Sequence, residues 1–339
     1  MSRRLTTAAA AGLTLGALAA CSASLEPGTN EGDVLHLALN QTESHPSYIA
    51  LDAWGEYMEE QTDGRWSIDV YPNETLGAQA EAMQLVSDGS VEMAIVSGPQ
   101  LENLNRDFIA LNLPTTFDDI DHQMRVVHDP AIVGDLYASL EETNNFTVLG
   151  GFTQGARSVY TTFGPVETPE DLAGQKLRVQ ESELNVAMAQ ALGASATPMA
   201  YGELYTGLQS GVVDAAENNE VSYASQRHFE VAPHWSYTNH LVGLDYLIIN
   251  TDMLASMTAE DRAVLDEGWE LARAEHVDLW LQATEDAVAT AEAGGATFHE
   301  VDDQVFFDAL EPLADRFLTT DDQWAIYDAA RAASTESAG

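Results

Sequence analysis

Two arginines carry the chemistry that this sequence can offer. Arg157 follows "GGFTQGA" and Arg178 follows "GQKL", each at a junction of strand-like stretches. Both are scarce groups. The 339-residue chain has 13 Lys and Arg against 55 Asp and Glu, and Lys176, two positions before Arg178, is its only lysine. A guanidinium is a planar fork that grips a carboxylate through two parallel hydrogen bonds. A chain this acidic repels an anion at range, so it must hold one by local, desolvated cations. The residues alone leave a second reading open: Arg178 pairs with Glu181 or Glu183 at the surface, worth only ~0–1 kcal/mol.

Other chemistry is poorly represented. "GGFTQG" (150–155) is neither a dinucleotide fingerprint nor a P-loop, and reads as a strand-to-loop turn. No GxSxG elbow occurs. His228, His234 and His240 recur at an interval of six, which fits no usual zinc pattern. "FDDIDH" (117–122) lacks the glycine and terminal Glu of a calcium loop. No base or nucleophile can be named, so the residues favour binding over catalysis, with a secreted α/β enzyme as the competing class. No metal, cofactor or catalytic residue is expected.

The elements that must position these arginines follow from periodicity. "MSRRLTTAAAAGLTLGALAACS" has Arg3 and Arg4, an apolar run and then Cys21, the only cysteine, which reads as a signal segment over 1–20. "LAAC" resembles the lipobox of bacterial lipoproteins, so Cys21 is expected to carry lipid. Residues 21–33 read as a polar tether. Acid is dispersed along the chain, and without residues 1–20 there remain 11 cations against 55 acids. Such a surface suits solubility at high salt, and the lack of a basic stripe excludes a nucleic-acid partner. Strands are expected at 34–40, 65–72 and 91–97, with helices at 47–62 and 78–89 between them, a βαβαβ order that implies parallel pairing. A second α/β unit is expected from strands at 146–154, 158–163, after Gly174 and at 212–218, with helices at 183–193 and 201–211. A strand at 244–250 returns to the first unit. One long helix is expected over 258–295, begun by Thr258 and Asp261.

Four stretches together resemble the extracytoplasmic solute receptors of tripartite ATP-independent periplasmic (TRAP) transporters: "PNETLGAQAEAMQLVSDGSVEMAIVS" (72–97), "LAGQKLRVQ" (172–180), "ALGASATPMAYGELYTGLQSGVVDAAENN" (191–219) and "TNHLVGLDYLIIN" (238–250). The resemblance covers nearly all of 34–320. It implies an α/β, two-lobe periplasmic-binding-protein-like architecture with a hinge near 155 and 240 and a long lobe-spanning helix. Lobe I is expected at 34–154 and 243–280, lobe II at 155–242 and 281–325, and a tail at 326–339. It implies that Arg178 of "KLRV" clamps the ligand carboxylate, that Arg157 of the Gly155-Ala156-Arg157 turn is a second arginine, and that Asn218 of "DAAEN" lines the site. Ala215 stands where the family usually has glycine. From the first lobe, Asn40, Ser97, His45 and Glu81 match ligand-facing places. "GARSVYT" with "AENN" resembles the branch that takes uronic and other sugar acids, whose hydroxyls would meet Glu81, Gln154 and Asn219. C4-dicarboxylates and 2-oxo acids are the competing ligands. The implied partners are a small organic acid and the membrane permease subunits, for a monomeric, lipid-anchored, extracytoplasmic protein. A clamp facing an open cleft is expected to contribute little to folding.

Overall fold

The computed structural model describes residues 32–334. The signal, lipobox and Cys21 readings lie outside the described residues, as does the tether up to Glu31. Nine strands form one mixed sheet: β1 (Asp33–Ala38), β2 (Trp66–Tyr71), β3 (Met93–Ser97), β4 (Phe146–Thr161), β5 (Lys176–Val179), β6 (Ser195–Pro198), β7 (Ala215–Asn218), β8 (His234–Asn250) and β9 (Thr297–Glu300). Their order is β2-β1-β3-β8-β4-β7-β5-β6, with β9 beside β8. The β2-β1-β3 and β7-β5-β6 groups are each parallel, as connections through helices require. β4 and β8 run antiparallel between them, and β3 pairs with the far half of β8 (Asp245–Ile249).

The stretch 146–163 is where expectation and structure part most. It is not two strands around a turn but one strand of 16 residues. The register against β8 breaks at Val148/Gly150, Thr153/Ala156 and Arg157/Val159. Gly150 and Gly155 have φ of 152° and 63°, so the chain bulges and bends where a side-chain-bearing residue would be strained. A Cβ on Gly155 would also lie 2.7 Å from Trp280 Nε1. The expected strand at 244–250 is the end of the 17-residue β8. Helices at Pro46–Gln61, Gln79–Ser87 and Glu183–Ala191 match the periodic stretches. Between Ser97 and Phe146 the chain forms short helices that the sequence reading left unassigned. Helix Asp321–Ala332 runs into the expected tail and buries Ala330.

Apolar clusters cover the sheet on both sides of the β4–β8 ladder. Leu35, Leu37, Trp54 and Ile95 belong to one; Leu177, Val179, Leu184 and Met188 belong to another beyond the ladder. The helix Ala259–Ala293 spans ~50 Å at 1.5 Å per residue. Thr258 caps it by accepting the Asp261 N–H at 3.1 Å. It buries Leu265, Trp269 and Ala272 in the first cluster and Ala291 against Tyr223 and Trp235 beyond the ladder. The helix therefore ties the two halves of the sheet together.

Candidate ligand-binding cleft

The carboxyl ends of the two parallel groups face one cleft, the place where open α/β sheets receive ligands. It encloses about 470 Å³ of space not filled by atoms, solvent at its mouth included. One wall comes from the turns after β1, β2 and β3, with Asn40, Gln41, Glu74, Gln79, Ser97 and Gln100. The other comes from β4 to β7, with Gln154, Arg157, Arg178, Gln180, Tyr201 and Asn218.

Arg178 lies in β5 and is 2% exposed. The surface-pair reading therefore fails. Glu181 is exposed, and Glu183 is bonded to Arg106 at 2.8 Å. Among the described residues, the hydrogen bonds of Arg178 go to one group, the Met199 carbonyl, from Nε at 3.0 Å and Nη2 at 2.8 Å. A guanidinium has five N–H donors, so three remain. Burial pulls the Arg178 pKa below its usual value, and the Glu217 and Tyr160 groups only partly oppose this. The result is a desolvated cation on a cleft wall, hydrogen-bonded to a carbonyl rather than a carboxylate. Lys176, two residues earlier, is exposed at the start of β5 and reaches the Gly211 carbonyl at 3.3 Å.

Arg157 is also 2% exposed, but it is saturated. Its Nε and Nη2 grip Glu217 at 2.6 and 2.8 Å, Nη2 also donates to the Glu217 carbonyl, and Nη1 donates to Gln154 and Asn218. Burial alone would raise the Glu217 pKa. The Arg157 charge, with His240 Nε2 3.8 Å away, overrides it and holds the carboxyl at about 2. Gln154 also donates to Asp245, whose pKa burial pushes up to about 6 despite Gln154 and Arg157. The chain Asp245–Gln154–Arg157–Glu217 thus runs across β8, β4 and β7, with Gln154 and Arg157 in the cleft wall and the two acids behind it.

Asp245 has a consequence for stability. Its folded pKa of about 6 exceeds an unfolded value of ~3.9, so ionising it opposes folding at neutral pH, and that penalty fades as pH falls through 6 toward 4. Wild type is expected to gain roughly 1 kcal/mol relative to Asp245→Asn between pH 7.5 and pH 5. Urea unfolding of both proteins at the two pH values measures this. An equal pH response in the two proteins would show that Asp245 is not the titrating group.

Of the residues expected at the site, Arg178, Arg157, Asn218, Asn40, Ser97 and Gln154 meet in the cleft. Three others have local structural roles. Glu81 is exposed and accepts the Ala78 N–H at 3.1 Å at a helix start. His45 is buried, accepts the Ser47 N–H through Nδ1 and stands edge-on to Trp280. Asn219 caps Glu220–Ser225 by accepting the Ser222 N–H at 2.7 Å. The sequence reading missed Glu74, Gln79, Gln100 and Tyr201 in the cleft, and Glu217 and Asp245 behind it. Glu217 left a signal: an acid within the apolar strand "VVDAAEN" must find a partner when buried. His228, His234 and His240 serve separately, bonded to Tyr160, Thr297 and Thr238. Among the described residues no group of His, Cys, Asp and Glu is placed to hold a metal ion.

The family model described as "Bacterial extracellular solute-binding protein, family 7" (DctP) matches residues 37–321. This chain belongs to that family. A TRAP periplasmic solute-binding protein from Anaerococcus prevotii, solved with bound α/β-D-glucuronate, superposes with a TM-score of 0.86 at 37% identity, covering 88% of this chain and 97% of the other. One from Bradyrhizobium sp., in complex with α/β-D-galacturonate, gives a TM-score of 0.84 at 31% identity, covering 88% and 100%. A solute-binding protein of Chromohalobacter salexigens is 35% identical over 280 residues, 81% of this chain and 82% of its own. Membership in family 7 makes the protein an extracytoplasmic solute-binding component of transport rather than an enzyme. It also accounts for the two-lobe α/β architecture. Among the described residues no helix is long and apolar enough to cross a membrane.

Proposed function

We propose that this family 7 protein is the receptor of a TRAP transporter that captures a uronate between two lobes and hands it to membrane permease subunits. One observation carries the reading: Arg178 is a buried cation on the cleft wall with donors to spare and no carboxylate partner among the described residues. A ligand carboxylate completes it. The amides and carboxylate around it (Asn40, Gln79, Gln100 and Glu74) suit a polyhydroxylated ligand. The glucuronate and galacturonate held by two similar proteins support the same class. In this reading lobe I comprises 34–154 and 243–280, lobe II 155–242 and 281–325, and they pivot where β4 and β8 bend. Cys21 carries the lipid that keeps the receptor at the membrane surface.

A thermal-shift screen tests the ligand class. A ligand that binds only the folded form stabilises it by RT ln(1 + [L]/Kd), about 2.7 kcal/mol at a hundredfold excess over Kd. D-Glucuronate and D-galacturonate are expected to raise Tm by several degrees, and glucose and galactose to leave it unchanged. A hexose that stabilises as well as its uronate would overturn the reading. A shift only with succinate or a 2-oxo acid would replace uronate by that class.

A further inference from the structure

Across the cleft from Arg178 stands a carboxylate that ordinary structural needs do not explain. Glu74 lies in the turn after β2, where Asn73 and Glu74 both have left-handed backbones, with φ of 58° and 54°. A glutamate there is uncommon, and such residues gather at functional sites. Four backbone bonds hold the turn: Asn73 N–H to the Gln41 carbonyl at 2.9 Å, Glu74 N–H to that of Leu39 at 3.1 Å, Thr75 N–H to that of Pro72 at 3.2 Å, and Gly77 N–H to that of Glu74 at 2.9 Å. The side chain lines the cleft. The carboxylate lies against the Gly202 backbone of the opposite wall, and a Cβ on Gly202 would lie 2.3 Å from Oε2, so an alanine there would displace the carboxylate. Oε1 is buried with no hydrogen-bond partner among the described residues. Burial raises the Glu74 pKa, and the Gly202 backbone and the nearby Arg178 charge only partly oppose this.

We propose that Glu74 restricts the cleft to mono-acids: Arg178 holds the single carboxylate, while the free Glu74 oxygen takes a ligand hydroxyl hydrogen and repels a second carboxylate. The proposal rests on the uronate-receptor reading and sharpens it. An unpaired buried acceptor is costly until a donor meets it, and two like charges in a desolvated site repel strongly. A sugar acid supplies the donor. A C4-dicarboxylate or an aldarate brings a second anion to the same wall.

The test titrates D-glucuronate and D-glucarate, in which C1 is a second carboxylate in place of the ring hemiacetal, into the intact chain and into Glu74→Gln. Glutamine keeps the shape and an acceptor oxygen but removes the charge. Wild type is expected to prefer glucuronate at least tenfold, and Glu74→Gln to bring the two within about threefold, mainly through tighter glucarate binding. Gly202→Ala, which displaces the carboxylate without removing it, is expected to weaken the preference as well. An unchanged preference in folded Glu74→Gln, or a wild type that binds glucarate as tightly as glucuronate, overturns the proposal. If wild type binds neither, the uronate reading falls by itself. The same pair of proteins is then titrated with the mono-acid found by thermal shift and its dicarboxylate counterpart, and the same ratio decides.

Discussion

Arg178→Ala is expected to bind uronate 30-fold to several thousand-fold more weakly than wild type while remaining folded. Truncating one partner of a buried, hydrogen-bonded charge pair costs roughly 2–5 kcal/mol, because the other charge stays desolvated and unpaired. Arg178→Lys should bind nearly as poorly, since an ammonium is a point donor and cannot reproduce the fork. The fold should tolerate both changes. In the free protein the Arg178 charge is itself a desolvation burden, as the direction of its pKa shift indicates, and it bonds only the Met199 carbonyl. Titration calorimetry beside thermal melts separates binding from folding. Arg178→Ala binding within threefold of wild type, in a protein with a normal melt, would remove Arg178 from the clamp role.

Glu217→Ala should be the converse: a large loss of stability. It strands the Arg157 guanidinium, 2% exposed, with only Gln154, Asn218 and a backbone carbonyl as acceptors. Breaking a buried ion pair from one side costs about 3–5 kcal/mol. In a domain this size that lowers Tm by on the order of 10 °C. Arg157→Ala should cost a similar amount by stranding Glu217. This revises the expectation that both arginines face an open cleft and contribute little to folding. Removing both charges together, as Arg157→Leu with Glu217→Leu, should cost much less than either single truncation, because no charge is then left buried and alone. Urea unfolding of the three variants decides. Single truncations that each cost under 1 kcal/mol would show that the pair is not a structural ion pair. The Glu217 pKa of about 2 sets the pH window: the pair's contribution is present above an unfolded value of ~4.3 and is lost only as pH falls toward 2.

The sequence by itself settled the parts that local chemistry controls. Helical periods marked Pro46–Gln61 and Ala259–Ala293 to within a few residues, because an amphipathic face and a cap are local properties. Alternation and short connections gave the parallel β1–β3 group, and the scarcity of cations drew the eye to Arg157 and Arg178. What it could not separate were the roles of those two arginines. Both follow a glycine turn signal, both are buried and both reach the cleft; the difference is that β4 and β7 pair so that Val159 stands opposite Glu217, which brings Glu217 to Arg157 and leaves Arg178 with a carbonyl. That register joins residues 60 positions apart and has no trace in either segment. Gly150 and Gly155 show the same limit. Glycine permits both a turn and a bulge, and only pairing with the 17-residue β8 made one continuous strand of 146–161. Glu74 was hidden among 55 acids until the turn after β2 placed it opposite Gly202 and near Arg178. A carboxylate's function depends on what desolvates it and which charge faces it, and in this chain both are supplied by strands distant in sequence.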